Sequence, residues 1–200
     1  MAKVRLTRIE LKRQKDNLRR FLRYLPTLEL KKQQLLQEIR SLQRAREALL
    51  ADIERVNSEV NQWADVFAEE VDLPALVKVA QVMTDTGNIA GIDIPLFAGI
   101  RFEEVPYDLF TTPLWVDQGI AVCKEQIERH VRLQLIERQL AILQEELRVT
   151  IQRIKLFEEI KIPEAQENIR VIQIFLGDQM TAEVVRGKIA KAKIEKRREA

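Results

Sequence analysis

Hydrophobic residues in this chain recur every seven positions along two long stretches and lose that period between them. In the first stretch, from about Thr7 to Phe67, one row is Leu28, Leu35, Leu42, Leu49, Val56 and Trp63. Its companion row, four positions on, holds Ile39, Ile53, Val60 and Phe67, with Arg46 as the exception. The second stretch runs from about Pro113 to Leu156 and resumes past Pro163. Its rows are Leu133, Leu140, Leu147, Ile154 and, three positions on, Ile136, Leu143 and Phe157, with Thr150 as the gap. Such rows lie on one stripe of a helix, and a stripe this long requires a partner helix. The seven-residue period predicts a left-handed supercoil. Two similar stripes joined by a compact middle zip most simply into one antiparallel coiled coil. Each arm of roughly 60 residues then extends about 90 Å at 1.5 Å per residue.

Local signals place the ends and breaks of these arms. Thr7-Arg-Ile-Glu10 reads as a capping box, with Glu10 reaching back to the amide before the helix. Pro26 removes a backbone hydrogen bond and predicts a kink or break. The first stripe ends near Val71, and Pro74 permits a short helical turn through Met83. Thr84 to Asn88 has turn chemistry. Ile89 to Leu96 and Ile100 to Val105 predict two short strands connected by Pro95 to Gly99. A two-stranded hairpin is marginal alone, so it must lean on the helices or on a partner. Thr112-Pro113 predicts the second helix start, with Thr as cap and Pro in the first turn. Ile162-Pro163 interrupts that helix. Apolar positions resume at Ile169, Ile172 and Leu176, flanked by Val171, Ile174 and Phe175. Gly177-Asp178 predicts a stop or kink, and Thr181 to Glu183 the cap of a last basic helix. The predicted fold class is all-α: a long antiparallel two-helix coiled coil with a small β-hairpin inserted between the helices. Its parts are residues 1–70, a connection over 71–112, and 113–200.

Charge changes the picture at the ends. The net charge is only +2 over 200 residues, yet Lys3 to Arg23 and Arg186 to Arg198 are both strongly basic, and the acidic charge lies elsewhere. In the antiparallel arrangement the two basic ends meet. Basic ends have a plain reading as solvated helix surface, favoured near a helix C-terminus. They also suit phosphate neutralisation, but no aromatic stacking platform accompanies them. One cysteine, Cys123, excludes an internal disulfide and fits a reducing compartment. No apolar run approaches the roughly 18–20 residues that span a bilayer, and the N-terminus lacks the apolar core of a secretory signal. A cytosolic protein is expected.

Catalytic arrangements are missing from the sequence. His130 is the only histidine and reads as a solvent-facing or core-edge residue. Cys123 has no nearby histidine and reads as a small packing residue. Gly87, Gly91 and Gly99 fit no nucleotide fingerprint, and metal-ligand spacing is absent. No cofactor is expected.

The middle of the chain carries a resemblance. Asn88-Ile-Ala-Gly-Ile-Asp-Ile-Pro95, then Tyr107-Asp-Leu-Phe and Thr112-Pro-Leu-Trp-Val-Asp117, resembles the linker of the D-subunit family of V-type (vacuolar/archaeal-type) ATPases. The opening Leu6-Thr-Arg-Ile-Glu-Leu11 with Lys12, the Ile162-Pro163 element with Glu167-Asn168, and the basic spacing Arg186, Lys188, Lys191, Lys193 are also similar. The resemblance covers the whole chain in order. It implies the non-catalytic central rotor shaft of a rotary ATPase or ATP synthase, cytoplasmic and peripheral to the membrane. The implied partners are the ring of A and B subunits around the paired termini, the small F subunit lower down, and the funnel-shaped C (or d) subunit above the membrane ring. Neither nucleic acid nor direct membrane insertion is implied. The implied ring-facing collar is Arg8, Arg13, Arg19, Arg20, Arg186, Lys188 and Lys191. Trp63, Phe67, Ile89, Ile92, Ile94 and Trp115 are the candidate contacts for the F subunit or the lower stalk. The hairpin is expected to project from the shaft. The alternative is a freestanding coiled-coil adaptor or scaffold.

Overall fold

The computed structural model describes residues 4–62, 71, 73–108 and 112–198. Helix α1 runs Arg8–Asn61. Its start is capped as predicted on one side: the Glu10 amide donates to Thr7 Oγ1 at 3.2 Å. The Glu10 carboxylate does not reach back. It accepts a hydrogen bond from Gln14 one turn ahead, at 2.8 Å. Of the kink or break expected at Pro26, the break does not occur: the helix runs through it. The proline sits off the packed seam, exposed between the half-buried Leu25 and Leu28, so one carbonyl loses its helical donor where water can replace it. Packing of the long seam outweighs the roughly 3 kcal/mol that an interior proline costs.

The chain folds as two compact units, residues 1–30 with 150–200 and residues 31–149. In the second unit α1 packs antiparallel to helix α3, Val116–Lys155. Lys31 meets Glu146 at 2.8 Å and Asp52 meets Arg129 at 2.9 Å, so numbering rises along one helix as it falls along the other. The predicted heptad rows form the core: Leu35, Ile39, Leu140 and Leu143 cluster together, Leu35 and Leu143 with no exposed surface.

The connection differs from its prediction. Helix α2 is a single turn, Leu73–Leu76, and the chain is already a strand by Val79. Strands β1, Val79–Ile89, and β2, Ile92–Phe102, pair antiparallel. The turn is therefore Ala90-Gly91, not Pro95 to Gly99, and Thr84 to Asn88 is strand. Ala90 and Gly91 both take positive φ, 51° and 80°, which is the two-residue turn whose twist matches the strands it joins. Asn88 holds it: its carbonyl oxygen accepts from the Gly91 amide at 3.0 Å and its amide donates to Asp93 at 2.7 Å. Pro95 is tolerated in mid-strand because Ile89 pairs with Ile92 and Thr86 with Pro95. That alternation points the proline's ring nitrogen away from β1, where no ladder bond is lost. Ala98 is an extra residue between the pairs Met83–Gly99 and Thr84–Phe97, a bulge.

The hairpin does not project. Ile94 is 3 % exposed within the Leu35–Leu143 cluster, and Gln139 of α3 donates to the outward carbonyl of Pro95. Arg132 lies 4.7 Å over the Phe97 ring and Lys124 5.6 Å over Phe102. A ribbon that cannot be stable alone thus lies along α3, its inner strand seated and its outer strand in solvent. The second long helix begins at Val116, three residues after the predicted Pro113. Thr112 and Pro113 form a turn before it, with the Thr112 hydroxyl donating to the Asp108 carbonyl at 2.8 Å and the Val116 amide to Pro113 O at 3.1 Å. The Tyr107 hydroxyl donates to Asp117 across this turn.

In the first unit the early turns of α1 pack on the end of α3, on a π-helical turn at Leu156–Lys161, and on helix α4, Ile162–Arg198. Phe21 and Phe157 stack with centroids 5.3 Å apart, and Ile154, Ala165 and Ile172 are buried. Ile162-Pro163 does not interrupt the helix, because the π turn absorbs the proline: the Ile162 amide bonds back five residues to Phe157 O. Gly177-Asp178 does not stop it either, and Thr181 bonds the Gly177 carbonyl inside the helix at 3.1 Å rather than capping a new one.

Candidate functional site

Charge divides along the same line as packing. Residues 1–30 and 150–200 hold 20 Lys and Arg against 11 Asp and Glu, a net +9. Residues 31–149 hold 13 against 20, a net −7. A nearly neutral chain is thus built from one basic and one acidic unit. Partners of each are expected to carry the opposite sign.

The basic unit carries all seven collar residues. Arg8, Arg13, Arg19 and Arg20 are exposed on α1, and Arg186, Lys188 and Lys191 are exposed on α4. Their own ion pairs are loose: Arg13 lies 3.8 Å from Glu10, Arg19 4.0 Å from Asp16, and Lys191 3.8 Å from Glu195. Solvated pairs of this kind contribute at most about 1 kcal/mol, so these cations remain available to a partner.

Sequence reading missed the accompanying apolar surface. Every residue of α4 from Gly177 to Arg197 is exposed. Met180, Val184 and Ile194 continue the side of α4 that packs on α1 higher up, while Val185 and Ile189 lie on the opposite side at 100° per residue. Two apolar strips on one helix, separated by polar arcs such as that of Gln179, Glu183, Arg186 and Lys193, offer surface to a partner on more than one side. The signal is present in the sequence as the failure of any single-faced period past Gly177.

In the acidic unit, Ile89 and Ile92 are half-buried and Ile94 is buried against this chain's own helices. Their apolar surface serves to seat the hairpin. Trp115 is half-buried beside the buried Val116. Trp63 and Phe67 lie outside the described residues. An ionic cluster pins α1 to α3 here: Asp52 accepts from Arg55 at 2.5 Å and from Arg129 at 2.9 Å, and Arg129 also reaches Glu125 at 3.2 Å. These bonds, that of Arg55 first, hold the Asp52 carboxyl below its usual range. A lowered folded-state pKa stabilises above the unfolded value, about 3.9, and that contribution fades as pH falls through the folded one. The pin is therefore constant at neutral pH.

The groups screened for chemistry sit apart. His130 Nδ1 lies 2.8 Å from the Gln126 carbonyl of its own helix. Burial pushes the Cys123 thiol up, away from the thiolate a nucleophile needs. Among the described residues no group of three or more His, Cys, Asp or Glu side chains is placed to hold a metal ion. Among the same residues no helix is long and apolar enough to cross a membrane.

Comparison with known proteins places these features in one family. Residues 10–192 match the family of the ATP synthase D subunit. The V-type ATP synthase D subunit of Borreliella burgdorferi is 43 % identical over 197 residues, 98 % of each chain. The protein of the same description from Chlamydia muridarum is 31 % identical over 201 residues, 99 % of each chain. That of Chlamydia caviae is 32 % identical over 201 residues, 99 % of this chain and 97 % of its own.

Proposed function

This chain belongs to the ATP synthase D-subunit family and is a central-stalk component of a V-type ATP synthase, and we propose that it is the non-catalytic shaft that carries torque between the ATP-binding ring and the ion-translocating membrane ring. The proposed arrangement puts the basic unit in the bore of the ring of A and B subunits. The acidic unit then meets the F subunit and the funnel-shaped C (or d) subunit above the membrane. The proposed location is cytoplasmic and peripheral to the membrane. The freestanding adaptor considered from the coiled coil alone is not favoured, since the family match covers nearly the whole chain.

The observation that carries the placement is the exposed run Gly177–Arg197. Apolar on two sides and basic around its circumference, it is exposed throughout among the described residues. It fits a sleeve that is apolar inside and acidic at its rim. Long hydrated cations suit a bearing, because each exposed contact is weak enough to exchange as the shaft turns.

Neutralising the collar together, with Arg8, Arg13, Arg19, Arg20, Arg186, Lys188 and Lys191 changed to Gln, tests it. The seven-fold variant is expected to melt as the parent does and to bind the A/B ring at least about tenfold more weakly, with a shallower salt dependence. Ring binding equal to the parent's at low and at high salt would refute the collar.

A further inference from the structure

The hairpin has two edges, and one of them is covered. The Pro95 carbonyl on β2 points away from β1 and accepts from Gln139 of α3. Arg132 and Lys124 of the same helix lie over the Phe97 and Phe102 rings of that strand. The edge of β1 has no such cover: every residue from Lys78 to Thr86 is exposed.

The register says which groups that edge presents. Thr86 pairs with Pro95, so its backbone polar groups point outward, as the Pro95 carbonyl does. No extra residue enters β1 between Gln81 and Ile89. By alternation Val82, Thr84, Thr86 and Asn88 all turn their backbone polar groups outward, along about 20 Å at 3.3 Å per residue. One of these amides is occupied, since Thr86 donates to the Asp85 carboxylate at 2.7 Å. Among the described residues the amides of Val82 and Thr84 meet no acceptor on this side.

The devices that blunt an open edge are otherwise missing. Strand β1 has no lysine and no proline, and Asp85 is its one charged residue. Apolar surface also reaches the edge. Leu96, on the same face as Ile94, leans over Gly87 of β1, where an added Cβ would meet Leu96 Cδ1 at 2.8 Å. Leu96, Met83 and Val82 remain 40 %, 39 % and 38 % exposed. A two-stranded ribbon is marginal, and a third strand would complete it.

Charge decides the kind of strand. The unit that carries the hairpin has a net charge of −7. A second copy, paired over the same residues about a two-fold axis, would set Asp85 against Asp85 and one acidic unit against another. A strand bearing Lys or Arg avoids both. Its cation pairs across the strands with Asp85, Asp85 releases the Thr86 amide, and a carbonyl of the incoming strand takes that amide over.

We propose that the outer edge of β1, from Val82 to Asn88, is a docking edge for a basic β-strand of another subunit, which joins the hairpin as its third strand. The proposal rests on the stalk reading, which supplies the neighbouring subunits. Outward amides without acceptors, apolar surface carried to the edge and a single acidic residue upon it carry the proposal.

Hydrogen exchange resolved to single amides reads the edge, in the isolated chain and in the complex reconstituted with the A, B, F and C (or d) subunits. The Val82 and Thr84 amides are expected to exchange at least about tenfold more slowly in the complex. Thr84→Pro removes one outward amide and leaves the ladder to β2 intact, as Pro95 does on the other strand. It is expected to leave the melting temperature of the isolated chain unchanged and to return the Val82 amide of the complex to its rate in the isolated chain. Thr84→Val keeps the amide and is expected to behave as the parent. Asp85→Lys is expected to weaken the protection of both amides. Should Thr84→Pro unravel the hairpin, Val82→Pro, read at Thr84, makes the same test. Amides that exchange equally fast in the chain and in the complex overturn the docking edge. So does protection that survives the proline, which marks cover by side chains alone. Protection that appears in the isolated chain as its concentration rises marks a second copy and overturns the basic partner. Failure of the chain to enter the complex overturns the stalk reading and this one with it.

Discussion

A chain ending at Gly177 is expected to melt within about 2 °C of the full chain and yet fail to couple ATP hydrolysis to ion movement. The first half follows from exposure. No residue from Gly177 to Arg197 is packed, and changes to unpacked surface stay within about 0.5 kcal/mol, or a degree or two in a domain of this size. The second half follows from what is lost: three collar cations, Arg186, Lys188 and Lys191, and both apolar sides of the terminal run, Met180 and Val184 on one and Val185 and Ile189 on the other. On the proposed placement, the ring's bore is left with an empty, wetted apolar channel. Melting curves, ring binding and ATP-driven ion uptake by the reconstituted complex are the measurements. A large fall in melting temperature places the run in the fold instead of in a partner.

Leu143→Ala is expected to destabilise the acidic unit by about 3 kcal/mol, near the middle of the range for a fully buried leucine, lowering its melting temperature by about 10 °C. Leu143 has no exposed surface and touches both structures that make this unit. It fills the heptad seam against Leu35 and Ile39, and it floors the seat of Ile94. Truncation therefore opens a cavity under the hairpin as well as between the helices. Amide exchange in β2 is expected to rise with that in α1 and α3. Exchange that rises in the helices while β2 stays protected would separate the hairpin from this core. Leu114→Ala, at a nearly fully exposed leucine, is the control and is expected to change little.

Periodicity told most of the helical story. The rows through Leu35, Leu42, Leu140 and Leu147 were legible because burial in a two-helix seam imposes its period on every turn. What that reading overstated was punctuation. Pro26, Pro163 and Gly177 look like stops in isolation, and each is overridden: Pro26 by its place off the seam, Pro163 by the π turn before it, Gly177 by the helical residues on either side. One residue more than two heptads separates Ile154 from Ile169, a step visible in the spacing of the apolar positions and hidden by taking Ile162-Pro163 as a break.

The hairpin was legible as a hairpin and misplaced by a few residues. Thr84 to Asn88 and Pro95 to Gly99 carry turn residues, and both are strand. Side-chain bonds of Asn88 to Gly91 and Asp93 decide the turn, and a composition scan does not weigh them. Its seat on α3 depends on long-range pairs such as Gln139 with Pro95 and Arg132 with Phe97, which no local pattern encodes. Of the proposed docking residues, the seven cations were legible as exposed charge, and the structure leaves all seven exposed; that they form a collar came from the family resemblance and is a proposal. The two-sided apolar run beside them was overlooked, because its only trace in the sequence is the loss of a single stripe past Gly177.

Rotation itself is the most direct measurement of the central claim. With the A/B ring fixed to a surface and a bead attached to the acidic unit through an exposed single cysteine, ATP is expected to drive the bead round in one sense, in steps of a third of a turn set by the three-fold ring. A bead that stays still while the same complexes hydrolyse ATP would contradict the account.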